Sequence, residues 1–302
     1  MIDSHVSVIL NSKCYSNKKD YTLSSCQREM ISSKIKHAVV IVNPAIKAIF
    51  CKQDNNHKVR FEYVKSTNNI RVVCLNCKQI VYFGENPYRK LNEELITEVD
   101  RRDREFFPIV FLPLIPEIIE EEIKYFETKY KGSFFGYKLQ PSLSNREILE
   151  IEKFDSNLAI FIHSGKDPVA DPLKTVSFAS KYSGDIVISH FAKFNKEVFL
   201  AVNNLNNLYI DTSPASIMFN AIKRFPELLF DTNFLGNIKD TQSLYRKIVE
   251  IVNERKIVYG SDYPVSSIYK ESKILLESNL KEETIKNITE NNILRILKIN
   301  NL

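Results

Sequence analysis

The sequence predicts an α/β protein, a parallel (β/α)8 TIM barrel carrying a small β insert after its second strand. Three observations predict it. Runs such as "AIFIH", "DIVISH" and "KIVYG" are nearly continuous in apolar residues, as strands covered on both faces are. These runs alternate eight times with amphipathic helical segments, as in a closed parallel barrel. Proline stands at several helix starts (Pro87, Pro172, Pro214), where its missing N–H costs nothing. By alternation alone, an open doubly wound sheet is the alternative.

In chain order, strands are expected over 1–9, 37–42, 108–112, 135–139, 159–163, 185–190, 208–211 and 256–260. Helices are expected over 87–104, 115–131, 145–154, 171–182, 196–204, 213–225, 240–254 and 282–298. The last persists through the Asn-rich "NITENNILRILKINN" because its apolar periodicity does. One barrel is expected to span 1–302, interrupted by the insert over 46–83, which has short β-like runs and no helical period.

With 302 residues, 44% of them hydrophobic, the chain can bury a large core. Its net charge of +5, from 42 basic and 37 acidic residues, is spread along the chain, so a nucleic-acid footprint is not expected. Glycine is scarce at 7, and neither G-x-G-x-x-G nor G-x-x-x-x-G-K-[ST] occurs. No export signal is read at the start, and "FFPIVFLPLIP" is short and broken by prolines. A cytoplasmic chain with no membrane partner is expected. Its five cysteines then read as reduced thiols or metal ligands.

Three of those cysteines and one histidine fall in the insert. Cys51, His57, Cys74 and Cys77 form C-x5-H followed by C-x2-C, two close pairs a hairpin's length apart. Such a set suits a tetrahedral structural zinc, in a segment too small for a core of its own. Redox chemistry at the C-x-x-C is disfavoured, since no helix starts there to stabilise a thiolate.

A second set lies on strand ends. His5 is in the first strand, Lys138 near the end of the fourth, and His163 and His190 at the ends of the fifth and sixth. Asp262 directly follows the eighth. In a parallel barrel these ends share one mouth. Imidazoles with a carboxylate suit zinc, iron or manganese with positions left for water. Taken singly, each is as well explained as a hydrogen-bonded core or turn residue; their joint placement points to a site.

The stretches "MIDSHVSV", "FGYKLQP", "IFIHSG", "IVISHF", "LYIDTSP", "IVYGSDYP" and "ITENNILRIL" together resemble the amidohydrolase-2 family of the amidohydrolase superfamily. The resemblance spans nearly the whole chain except the insert. It implies a metal-dependent TIM-barrel hydrolase or decarboxylase. It implies metal ligands at His5, His163 and Asp262, with His190 close by as base, electrophile or fourth ligand. Asp262 or His190 would take a proton from the attacking water, and Lys138 would act as an uncarboxylated cation for an anionic substrate or oxyanion. Two positions depart from the family pattern: Ser7 replaces the second histidine of a His-x-His pair, and Gln140 follows "KL" where relatives often have histidine.

The expectation is thus a hydrolase with a divalent metal (zinc, or manganese or iron) that acts on a carbonyl of a small, carboxylate-bearing substrate. Non-oxidative decarboxylation by the same site is open, as is a homodimer. The rival is a non-catalytic relative serving binding or assembly, supported by Ser7. Cys14 and Cys26 are expected in a loop over the mouth, as plain thiols.

Overall fold

The computed structural model describes residues 1–10, 21–43, 53, 57–102 and 105–300. It begins with β1 (Ile2–Val8), α1 (Leu23–Ser32) and β2 (His37–Val42). The insert follows as an antiparallel sheet of β3 (Val59–Val64), β4 (Asn69–Cys74) and β5 (Ile80–Gly84). Then come α2 (Pro87–Asp100), β6 (Phe106–Pro108), β7 (Val110–Leu112), α3 (Pro116–Lys129), β8 (Gly136–Leu139) and the short α4 (Pro141–Ser144). The chain continues through β9 (Ala159–Ile162), α5 (Pro172–Ala179), β10 (Ile186–Ile188), α6 (Lys196–Asn204) and β11 (Leu208–Asp211). It ends with α7 (Ala215–Arg224), α8 (Thr241–Ile251), β12 (Ile257–Val258), α9 (Ile268–Leu276), α10 (Glu282–Lys286) and α11 (Asn292–Ile296).

The parallel strands form two sheets in barrel order, β1-β2-β6 and β7-β8-β9-β10-β11-β12. At one seam, β6 and β7 are halves of one extended run, and Ile109 N–H between them donates to Val40 O at 3.0 Å. At the other, Ser4 N–H donates to Tyr259 O at 2.9 Å, Asp262 N–H to His5 O at 2.9 Å and Ser7 N–H to Tyr263 O at 2.7 Å. The ladder therefore does not close as one continuous sheet. β1 itself shifts register between Asp3 and Val6.

Side-chain alternation along these strands sorts two apolar layers. Ile2, Val39, Phe107, Phe161, Val187, Tyr209 and Val258 pack together inside the ring, over a floor of Ile293, Ile296 and Leu297. Their neighbours, such as Val6, Val40, Ile160, Ile188 and Ile210, pack outward against the helices. Each such side chain contributes roughly 1.5–3 kcal/mol on full burial. The interior is tight on the β8 side, where a Cβ on Gly136 would come within 2.5 Å of Ala159 O. The insert is joined to the barrel by an aromatic chain: Phe61 to Tyr88 at 6.0 Å and Tyr88 to Phe111 at 4.5 Å between ring centroids.

Three expectations change. The helix expected over 145–154 is only a 3-10 turn, Ile148–Glu150, because Asn145 takes a left-handed φ of 53° and ends α4. α1 and α9 were not expected as helices. In α1, Leu23, Cys26 and Met30 form a buried helical face hidden among serines. Cys26 is therefore not in a loop over the mouth: it is buried on α1, its Sγ 3.7 Å from Met30 Sδ. Burial pushes its thiol pKa well up, so it is unreactive. Cys14 and Cys51 lie outside the described residues. No helix among the described residues is long and apolar enough to cross a membrane.

Candidate metal centre at the barrel mouth

The inward-facing positions that are apolar low in the barrel turn polar near the strands' C-terminal ends. Two residues beyond Gly136 is Lys138, beyond Phe161 is His163, beyond Val187 is Ser189, and beyond Tyr209 is Asp211. His5 and Ser7 alternate with Val6 and Val8, which pack into the helix layer, so both point into the barrel. Gly260 leaves room for His5, since a Cβ there would approach His5 Cβ to 2.8 Å.

The hydrogen bonds decide which ring nitrogens remain as donors of a lone pair. His5 Nδ1 lies 2.8 Å from Asp211 Oδ2, an acceptor, so this nitrogen carries the proton. His5 Nε2 is left facing Asp262 Oδ1 at 3.5 Å. Likewise His190 Nδ1–H donates to Ser213 O at 2.8 Å, which leaves the Nε2 lone pair facing His163 Nδ1 at 3.0 Å. The rings of His5 and His190 stack with centroids 5.3 Å apart. Asp211 is the hub: Oδ1 also accepts from His190 N–H at 2.8 Å, Ser213 N–H at 3.0 Å and Ser213 Oγ–H at 2.6 Å.

Electrostatics follow from burial and neighbours. Burial, reinforced by His190 and Lys138, holds His163 well below the usual imidazole range. Burial and His5 do the same to His190, against the opposing charge of Asp211. Both rings are thus neutral and able to ligate. Burial would raise Asp211, but His5, His190 and Lys138 outweigh it and hold the carboxyl well below its usual value. Asp262 is raised by burial, His5 opposing and Asp211 reinforcing. Burial lowers Lys138 to about 8, with Asp211 and Asp262 pulling the other way. Its ammonium donates to Ser189 Oγ at 2.6 Å.

The backbone here is strained. His190–Phe194 form a left-handed turn with φ of 60°, 52°, 48°, 50° and 57°, none of them glycine, and Asp262 has φ 58°. Left-handed residues cost roughly 1–2 kcal/mol each. Such strain concentrates where a site fixes its side chains.

The donor set fits a divalent metal. His5, His190 and Asp211 each offer a ligand atom within 4.8 Å of the others, all three buried. Both Asp211 oxygens already accept hydrogen bonds, so the groups left to ligate are His5 Nε2, His190 Nε2 and the adjoining His163 and Asp262, at the distances above. The expected residues His5, His163, His190, Asp262 and Lys138 are thus brought to one mouth. Sequence reasoning missed Asp211, Ser189 and Ser213. The signal for Asp211 was present, an aspartate ending the apolar run of "LYIDTSP" just as His163 ends "IFIH". In the insert, His57, Cys74 and Cys77 converge as a separate cluster.

Residues 83–299 match the amidohydrolase family, a span that leaves out β1 with His5 and Ser7, and most of the insert. No curated protein matches the chain. An uncharacterized TIM-barrel protein from Bordetella bronchiseptica is similar in fold, with a TM-score of 0.64, 12% identity and 98% of each chain covered. So is a probable 2-pyrone-4,6-dicarboxylic acid hydrolase from Acinetobacter baumannii with citric acid bound, at 0.60 and 14%, covering 99% of both chains. A dihydroxybenzoic acid decarboxylase from Polaromonas sp., with bound manganese and the inhibitor 2-nitroresorcinol, gives 0.59 and 14%, covering 100% of this chain and 97% of that one.

Proposed function

The chain belongs to the amidohydrolase family, and we propose that it is a metal-dependent hydrolase acting on a carbonyl of a small, carboxylate-bearing molecule. The observation that carries this is the convergence of neutral imidazoles, a buried carboxylate and a buried lysine on one barrel mouth. A divalent metal, zinc in this reading, would be held by His5 Nε2, His163, His190 and Asp262. It would supply Lewis-acid polarisation of carbonyl and water.

The chain's own groups do the rest. Asp211 fixes the tautomer and orientation of His5 through Nδ1, as a carboxylate behind a ligating histidine does. Asp262, raised by burial, holds a proton taken from water and returns it to the leaving group. Lys138, tethered by Ser189 Oγ, has further N–H groups to bind a substrate carboxylate or a developing oxyanion. Decarboxylation is the second reading. It is favoured by the same raised Asp262, which can protonate a carbanion, and by the decarboxylase among the similar structures. The enzyme is proposed to work in the cytoplasm, without nucleic acid or membrane as partner, and a homodimer is left open.

The test supplies zinc or manganese and a panel of carboxylated lactones, amides and hydroxybenzoates, following ring opening against carbon dioxide release. Metal-dependent turnover of one class is expected. His163→Ala should lower it at least about a hundredfold with circular dichroism unchanged. No turnover, together with no metal at the mouth under excess zinc or manganese, would sink the proposal and favour a non-catalytic relative.

A further inference from the structure

We propose that the insert is a second metal centre, independent of the barrel, in which His57, Cys74 and Cys77 hold one structural zinc ion. The local backbone builds the site. Cys74 ends β4, and the chain then turns tightly: Lys78 has a left-handed φ of 57° and its N–H donates to Cys74 O at 2.8 Å. Cys74 N–H donates in turn to Gln79 O at 2.8 Å. Cys77 N–H points at Cys74 Sγ, 3.3 Å away, the kind of contact that stabilises a thiolate. Both sulfurs therefore sit on one side of the turn.

The histidine arrives from the paired strand. Val59 opposes Cys74 in the β3–β4 register. Leu75 N–H donates to Lys58 O at 2.9 Å, and Lys58 N–H donates to Asn76 Oδ1 at 3.0 Å. These bonds tie the residue next to His57 to the turn between the cysteines. His57 Nδ1 lies 3.6 Å from Cys74 Sγ and 3.2 Å from Cys77 Sγ. Tetrahedral zinc, with Zn–S of about 2.3 Å and Zn–N of about 2.0 Å, sets nitrogen and sulfur ligands roughly 3.5 Å apart. Cys77 Sγ also contacts Gln53 Oε1 at 2.9 Å, on the rim of the cluster.

The chemistry favours zinc over the alternatives. Two thiolates and an imidazole are a borderline-soft set, unlike the imidazole–carboxylate set at the mouth. A redox role lacks the helix N-terminus that lowers a reactive thiol's pKa. The sheet also needs a staple. Of its strand residues only Phe61, Ile70, Val72 and Cys74 are buried, while Ile80 and Phe83 are exposed at 58% and 52%. Phe61, Ile70 and Val72 are buried in the barrel's core rather than in one of the insert's own, so the turn that carries the cysteines lies beyond the apolar packing. The sheet's tie to the barrel runs through Phe61 and Tyr88 to Phe111, whose register partner in β8 is Lys138.

The experiment uses the full chain with cobalt exchanged for its metal. A thiolate-to-cobalt absorption band is expected, at one tightly held ion per chain. The band should persist in His163→Ala and vanish in Cys74→Ser, Cys77→Ser and His57→Asn. Should those insert variants fail to fold, the wild-type protein still decides. Cys77, which is partly exposed, should resist alkylation when metal-loaded and react at least about tenfold faster after strong chelation. Absence of the band, or equal alkylation with and without metal, overturns the proposal. A band lost in His163→Ala overturns the independence of the two centres. Failure of the enzymatic reading would leave the band untouched.

Discussion

At the barrel mouth, β1 and the strands from β8 to β12 bring polar side chains at or just beyond their ends into a buried cluster whose members are far apart in sequence: His5 meets Asp211 across 206 positions. In the insert, a single hairpin supplies both sulfurs and the histidine from within 20 positions of one another, and Cys77 is partly exposed. The mouth is held by the whole barrel around it and stores left-handed strain. The insert has no separate core: Phe61, Ile70 and Val72 are buried into the barrel's own. The first arrangement suits chemistry, because its donors are preorganised whether or not an ion is present. The second suits a structural ion, whose binding would add to the stability of the turn and strands that carry its ligands.

The largest way to break this comparison is Asp211→Ala. It would strand four buried donors, on His5, His190 and the backbone and side chain of Ser213. A cost of about 3–5 kcal/mol in urea unfolding is expected. The cobalt–thiolate band of the insert should be unchanged before denaturant is added. A loss below about 1 kcal/mol would mean that Asp211 does not organise the mouth.

A smaller effect compares two glycines. A methyl on Gly136 meets the backbone carbonyl of Ala159 in the next barrel strand at 2.5 Å. On Gly84, in the insert, it meets the end of the Tyr82 side chain at 3.0 Å. The barrel strand cannot yield and the tyrosine can. Gly136→Ala should therefore cost about 1–3 kcal/mol and Gly84→Ala under about 1 kcal/mol, read as midpoint shifts. Equal costs would show that the barrel interior is no tighter than the insert.

The smallest concerns Ser7, on the same inward side as His5 and 7% exposed. Its neutral hydroxyl adds little as a ligand. Ser7→His should tighten metal at the mouth about tenfold, or about 1.4 kcal/mol, as measured by competition with a chelator. The insert's band serves as the internal reference. No gain in affinity would count against a metal seat beside Ser7.

Much of this was legible in the sequence. Apolar runs alternating with amphipathic ones gave the order of most strands and helices, and strand-end positions assigned Lys138, His163 and His190 to one mouth with His5. C-x2-C on a hairpin is local, so spacing alone announced the insert's sulfurs. The rest needed the tertiary structure. α1 was hidden because its apolar positions lie among serines. The left-handed turn at His190–Phe194 carries no glycine to signal it. Gly260 yields space to His5 only because β1 and the end of β12 are brought side by side. The role of Asp211 is decided by contacts with His5, His190 and Ser213, and so are the protonated nitrogens of both rings. Periodicity records which face of an element is apolar. Which distant polar atom stands 2.8 Å away is fixed only when the strands come together around one interior.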